Sequence, residues 1–204
     1  MQKQLLFGLT VALTVLTGTV SARAASATKS YKMQPGDLLV AHGTNANSLG
    51  GVGGMFGHVA MATTANYVIE MPGENYGYSL KRNAHVTPKK TFFTRHASPI
   101  AGSWVDVYRL PKVKQQAAKQ AALSAYQNMY KKNNPDYAIL PAGALYQSSP
   151  SYCSKFIYLA FYNLFGTRAV KQFNTTLHFV SPYGLNSTFT TAYKPRFLSK
   201  ITTP

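Results

Sequence analysis

Apolar positions along the chain predict strands first and helices second. Asp37-Leu38-Leu39-Val40-Ala41 is a short apolar run behind the turn pair Pro35-Gly36 and predicts a buried strand. His58-Val59-Ala60-Met61-Ala62-Thr63 and Tyr67-Val68-Ile69-Glu70-Met71 predict two more strands joined by a tight turn. Trp104-Val105-Asp106-Val107-Tyr108-Arg109-Leu110 alternates with the two-residue period of a strand. Residues 74–102 read as irregular and carry Lys81, Arg82, Lys89, Lys90 and Arg95.

The period then changes. Pro111 is a good first helical residue, and Val113, Ala117, Ala121 and Ala125 repeat every four positions, up to Lys131-Lys132-Asn133-Asn134-Pro135. A second helix is expected from Ser151 to Leu164, with Gly166 as its stop. Its stripe is Cys153, Phe156, Ile157, Ala160, Phe161 and Leu164. Beyond it, Leu177-His178-Phe179-Val180 and Thr188-Phe189-Thr190 read as strand or extended coil. No internal repeat and no linker divides this pattern. The expectation is a single α+β domain over residues 28–204, an antiparallel sheet packed against helices.

The first 27 residues read as an address. Lys3 gives a basic start, Leu5 to Val20 is apolar, and Ala22-Arg23-Ala24 and Ala25-Ser26-Ala27 offer small-residue cleavage sites. A bilayer span needs about 20 strongly apolar residues, and this run is shorter and diluted by threonine and glycine. The expected product is secreted, with no transmembrane segment in the mature chain.

Composition narrows the chemistry. The 204 residues hold 21 Lys+Arg against 5 Asp+Glu, a net charge of +16. Removing the leader takes away Lys3 and Arg23 and leaves +14. A single cysteine excludes an internal disulfide and a multi-cysteine zinc site. Asp37, Asp106, Asp136, Glu70 and Glu74 are the whole carboxylate set, and none has metal-ligand spacing, so no metal and no cofactor is expected. Chemistry built on a lone nucleophile fits this composition best.

Cys153 is the candidate for that nucleophile. A lone thiol is more often a packed core residue, but this one falls in the first turn of a helix, after Tyr152. Unpaired N–H groups and the helix dipole favour the ionised form of a thiol placed there. The backbone donors can also hold an oxyanion. Among the five histidines, His42 and His178 fit ordinary strand positions, and His85 and His96 fit the surface. His58 opens a strand directly after a glycine-rich loop, with room for its imidazole to act as a base. Glu70 stands among Val68, Ile69 and Met71 and needs a partner to be buried there, and orienting an imidazole supplies one. A three-residue turn, 64–66, makes Ala60 face Glu70 and sets His58 and Glu70 on one face about 7–8 Å apart at Cα. A two-residue turn separates them.

The ordered set Pro35-Gly36-Asp37-Leu38-Leu39, Gly57-His58-Val59-Ala60-Met61, Val68-Ile69-Glu70 and Tyr152-Cys153-Ser154-Lys155-Phe156-Ile157 resembles the circularly permuted papain-fold cysteine amidases. These are the YiiX-like branch of the NlpC-type peptidases, related to the lecithin:retinol acyltransferase group. The resemblance covers about Met33 to Gly166. It implies a papain-like fold with Cys153 as nucleophile, His58 as base and Glu70 as the residue orienting it. Tyr152 and Ser154, on either side of the cysteine, are the candidates for shaping or supporting the oxyanion site. Lys155 stands where the family often has an acidic residue, which bears on substrate preference.

The run Gly51-Val52-Gly53-Gly54-Met55-Phe56-Gly57 lacks the G-K-[ST] ending of a phosphate loop. Asn174-Thr175-Thr176 and Asn186-Ser187-Thr188 match a glycosylation pattern common by chance. Dispersed basic residues without a nucleic-acid motif give no reason to expect a nucleic-acid partner. The expected function is a secreted cysteine hydrolase of an amide bond in cell-wall peptidoglycan, working through an acyl-thioester. The alternatives are a lipid acyl hydrolase or acyltransferase on the same triad, and a non-catalytic cationic protein that binds an anionic envelope polymer. Lys81, Arg82, Lys89, Lys90, Arg95, Lys131 and Lys132 are the candidate contact surface for such a polymer.

Overall fold

Strand β1 (Leu38–His42) is the hinge of the architecture because both of its faces are apolar. Leu38 and Val40 point to one side, Leu39 and Ala41 to the other, and all four are buried. A strand with no polar face belongs in mid-sheet, covered on both sides. A computed structural model describes residues 31–43, 57–139, 145–174 and 178–203, all within the compact unit Tyr31–Pro204. The leader and the glycine-rich run before Gly57 lie outside the described residues.

Six strands form one antiparallel sheet in the order β4-β3-β2-β1-β5-β6. Besides β1 they are β2 (His58–Ala62), β3 (Tyr67–Glu70), β4 (His85–Pro88), β5 (Trp104–Arg109) and β6 (Arg196–Ile201). Helices α2 (Gln115–Ser124) and α3 (Cys153–Phe165) cover the Leu38–Val40 face. Helix α1 (Lys89–His96) covers the other through Phe92 and Phe93. The fold is α+β, as the sequence leads one to expect. Each fully buried Leu, Ile or Phe in these layers contributes about 1.5–3 kcal/mol. Asp37 fixes the start of β1: Arg109 Nε and Nη2 donate to its two oxygens at 2.6 and 2.7 Å.

Helix α3 carries the expected stripe, and every residue from Cys153 to Phe161 is buried. Gly166, at φ 55°, terminates it where few other residues fit. Leu164 is exposed, so the buried stripe ends one turn early.

The structure corrects the sequence reading in three places. Residues 74–102 are not irregular throughout, since they contain β4 and α1. The buried face of the helix after Pro111 is Ala118, Ala121, Ala122, Ala125 and Met129, while Val113 is 86% exposed. That helix begins with a 3₁₀ turn at Lys112–Lys114 and ends in a π-helical segment, Ala125–Lys132, so a single α period misplaces its face. Strand β6 was not anticipated: it pairs with β5 at the sheet edge, mostly exposed, and shows no alternation. Among the described residues no helix is long and apolar enough to cross a membrane.

Candidate active site

The β2–β3 hairpin builds the first half of the site. Thr63 donates its N–H to the Tyr67 carbonyl at 2.9 Å, closing a turn of residues 64–66, and Ala60 pairs with Glu70. His58 and Glu70 therefore share a face. Both are buried, and His58 Nε2 lies 2.8 Å from Glu70 Oε2. That bond occupies Nε2, while Nδ1 is buried with no hydrogen-bond partner and the nearby Cys153 side chain acts on the ring.

Electrostatics follow from this sandwich. Burial opposes a charge on His58, but the nearby Cys153 side chain and the hydrogen bond and charge of Glu70 outweigh it and push the imidazole up to about 10. Burial likewise opposes a charge on Glu70. The hydrogen bond and charge of His58, the charge of His96 and the bond from Thr87 Oγ1 hold it down at about 2. The pair is thus an imidazolium and a carboxylate at neutral pH.

The second half is the start of α3. Tyr152 is the cap residue, extended at φ −148° and ψ 169°, and no side chain caps the end. First-turn N–H groups have no intrahelical acceptor, so they face whatever reacts at Cys153. The Tyr152 hydroxyl accepts the Val180 N–H at 3.0 Å, and Ser154 Oγ donates to the Val180 carbonyl at 2.6 Å. Both residues flanking the cysteine therefore hold the Val180 backbone against α3. Ser154 Oγ also lies 4.0 Å from the Cys153 sulfur. Lys155 is buried, donates to the Pro150 carbonyl at 2.7 Å, and its ammonium is lowered by burial.

Two neighbours escaped the sequence reading. His96 is not a surface residue: it is buried, its ring stacks on His58 at 5.1 Å, and its Nε2 is 4.0 Å from Glu70 Oε2. Arg95 Nη1 lies 3.9 Å from Glu70 Oε1. Phe92, Phe93 and His96 occupy i, i+1 and i+4, a spacing that marks one helical face behind Pro88 and could have exposed both residues. His42 pairs with Asp106 at 3.1 Å, His85 stacks on Tyr78, and His178 stacks on Phe173.

Donor atoms of His58, Glu70 and His96 lie within 4.8 Å of one another, close enough to consider a metal. His58 Nε2 is already committed to Glu70, and the Arg95 guanidinium beside that carboxylate repels a cation. The cluster is better suited to carrying a proton than to holding a metal. A cavity of about 440 Å³ lies elsewhere, lined by Thr64, Tyr67, Val86, Lys119, Leu123 and Tyr126. It opens at the turn end of the hairpin, a strand length of about 16 Å from His58.

The charged pair makes stability depend on pH on both sides. Glu70 is depressed, so its contribution is present above about 4.3, the unfolded value, and is lost as pH falls towards 2. His58 is raised, so its contribution is full below about 6.5 and is lost as pH rises through 10. The difference in melting temperature between wild type and Glu70→Gln should be largest between about pH 4.5 and 6.5 and shrink on either side. A difference that stays flat from pH 3 to 10 means that the pair is not ionised.

Comparison with known proteins places the chain in a family. No solved structure matches the chain. A protein of Bacillus thuringiensis described as an "Uncharacterized 30.3 kDa protein" is 34% identical over 172 residues, covering 81% of this chain and 56% of that protein. The chain thus spans little more than half the length of this relative. The family described as "Lipoprotein N-acylation protein LnsA-like" matches residues 3–201. This papain-like group of acyltransferases and hydrolases is a coarser placement than the permuted NlpC branch that the sequence resembles. With nearly its whole length matched, the chain belongs to the LnsA-like family of lipoprotein N-acylation proteins.

Proposed function

We propose that the protein is a secreted cysteine acyltransferase that takes an acyl group from a lipid ester and passes it to a primary amine through an acyl-thioester on Cys153. The observation that carries this reading is the buried His58–Glu70 pair, on which the side chain of Cys153 acts from the uncapped start of α3. The family's description supplies the amine acceptor.

In the first half-reaction the Cys153 sulfur attacks the ester carbonyl. A C–S bond forms, the ester C–O bond breaks, and the departing alcohol takes a proton from His58. In the second half-reaction the amine nitrogen attacks the thioester carbonyl. A C–N bond forms, the C–S bond breaks, and the nitrogen's proton returns to His58. Glu70 holds the ring and stabilises its positive form. First-turn N–H groups of α3 hold the oxyanion in both steps.

Cleavage of a cell-wall amide would share the thioester but end on water. The family's description favours the amine acceptor over that expectation. The test supplies both: phosphatidylglycerol with a labelled acyl chain, and a synthetic lipopeptide with a free N-terminal amine. The labelled chain should appear on the lipopeptide amine, with none on an N-acetylated control. Release of free fatty acid alone makes the protein a hydrolase. Cleavage of purified peptidoglycan by wild type but not by Cys153→Ala would restore the cell-wall amidase.

A further inference from the structure

The sheet end that holds His58 also carries a ladder of rings and cations. The register brings the end of β1, the starts of β2 and β5 and the end of β6 together there. His42 stacks between two aromatics, Trp104 at 4.9 Å and 4° and Tyr183 at 4.8 Å and 16°. Lys200 Nζ sits 4.2 Å over the Trp104 ring. Tyr183 presses so closely on Gly57 that a Cβ there would come within 2.5 Å of the ring, so the ladder rests on the residue before His58.

Apolar and cationic groups flank the ladder. The 98–103 turn lies against Gly43, where an added Cβ would approach the Gly102 carbonyl to 2.5 Å, and at its tip Ile100 is 99% exposed. On the other side the exposed Tyr76 ring packs edge-on to His96 at 6.1 Å and carries Arg95 at 4.2 Å. Of the nearby carboxylates, Asp106 is paired with His42 and Glu74 is exposed. Rings with polar tips, interleaved cations and a bare isoleucine are the groups that settle at a lipid–water boundary. The net charge of +14 that remains without the leader (+16 less Lys3 and Arg23) favours an anionic one. Lys89, at the start of α1, donates its backbone N–H to the Asn66 carbonyl at the hairpin turn.

We propose that this end of the sheet docks on an anionic phospholipid bilayer. Ile100, Trp104 and Tyr183 enter the headgroup layer, and Lys200 and Arg95 meet its phosphates. The surface rests on these contacts, and the choice of a bilayer over another polyanion rests on the acyl-transfer reading.

Trp104 is the single tryptophan, so its fluorescence reports this face alone. With phosphatidylglycerol vesicles its emission should shift to the blue and acrylamide quenching should fall, with little change on phosphatidylcholine. Ile100→Glu and Lys200→Glu should each raise the lipid concentration for half-binding about tenfold, with unchanged circular dichroism. Unchanged Trp104 emission, even with protein pelleting on the vesicles, overturns the proposal. So does the same shift with soluble teichoic acid, or wild-type binding by both variants. Cys153→Ala should keep the shift. If acyl transfer fails while the shift and both variant effects persist, the docking face stands without the reaction. If the shift fails while Cys153 still takes an acyl group from a water-soluble short-chain donor, docking alone is rejected.

Discussion

Replacing Cys153 with alanine should lower acyl transfer by about 10⁴-fold or more, the scale seen when a nucleophile is removed from a unit that works together. Cys153→Ser should fall nearly as far, because an alkoxide is much harder to form than a thiolate at neutral pH. A packed core thiol would behave differently. Cys153 is buried in the cluster with Phe156 and Ile157, so a purely structural role predicts a change in melting temperature with activity kept. Measuring turnover and thermal unfolding on the same preparations separates the two roles. His58→Ala should also slow alkylation of Cys153 by iodoacetamide at neutral pH by about tenfold or more, since it removes the imidazolium beside the sulfur.

Glu70→Gln should give the next largest loss, about 10³–10⁴-fold in kcat. The amide keeps the size of the carboxylate and a partner for Thr87 Oγ1, but it cannot balance the charge on His58. The imidazolium is then less favoured, and the alkaline limb of the pH–rate profile should move down from near 10. Glu70→Ala should add a stability cost of about 3–5 kcal/mol, because it leaves His58 buried without its partner. A Glu70→Gln enzyme with wild-type kcat and an unmoved alkaline limb would remove Glu70 from the mechanism.

The sequence carried the hairpin and the cysteine helix because each has a rule with few solutions. A buried strand admits one parity, and a three-residue turn sets Glu70 opposite Ala60, where the structure has it. Phe156, Ile157, Ala160 and Phe161 repeat at helical spacing on α3, and Gly166 ends it. The other side of the site was hidden. Helix α1 is short, its residues are mostly polar, and Lys89, Lys90 and Arg95 look like a solvated stretch until Phe92, Phe93 and His96 are placed on one face. Its importance is tertiary: it closes over Glu70 from the far side of the sheet and brings in His96 and Arg95. Val180 was hidden for a similar reason. Nothing local marks it, yet its backbone joins the two residues that flank Cys153.

A covalent acyl group on Cys153 is read directly by intact-protein mass spectrometry. Wild type incubated with phosphatidylglycerol, without an amine acceptor, should gain the mass of one acyl chain. The adduct should map to the peptide containing Cys153, and neutral hydroxylamine should remove it, as it does a thioester. Adding the free-amine lipopeptide should discharge it. Turnover on the same lipid with no adduct, with an adduct on another residue, or with one that resists hydroxylamine would rule out an acyl-thioester on Cys153.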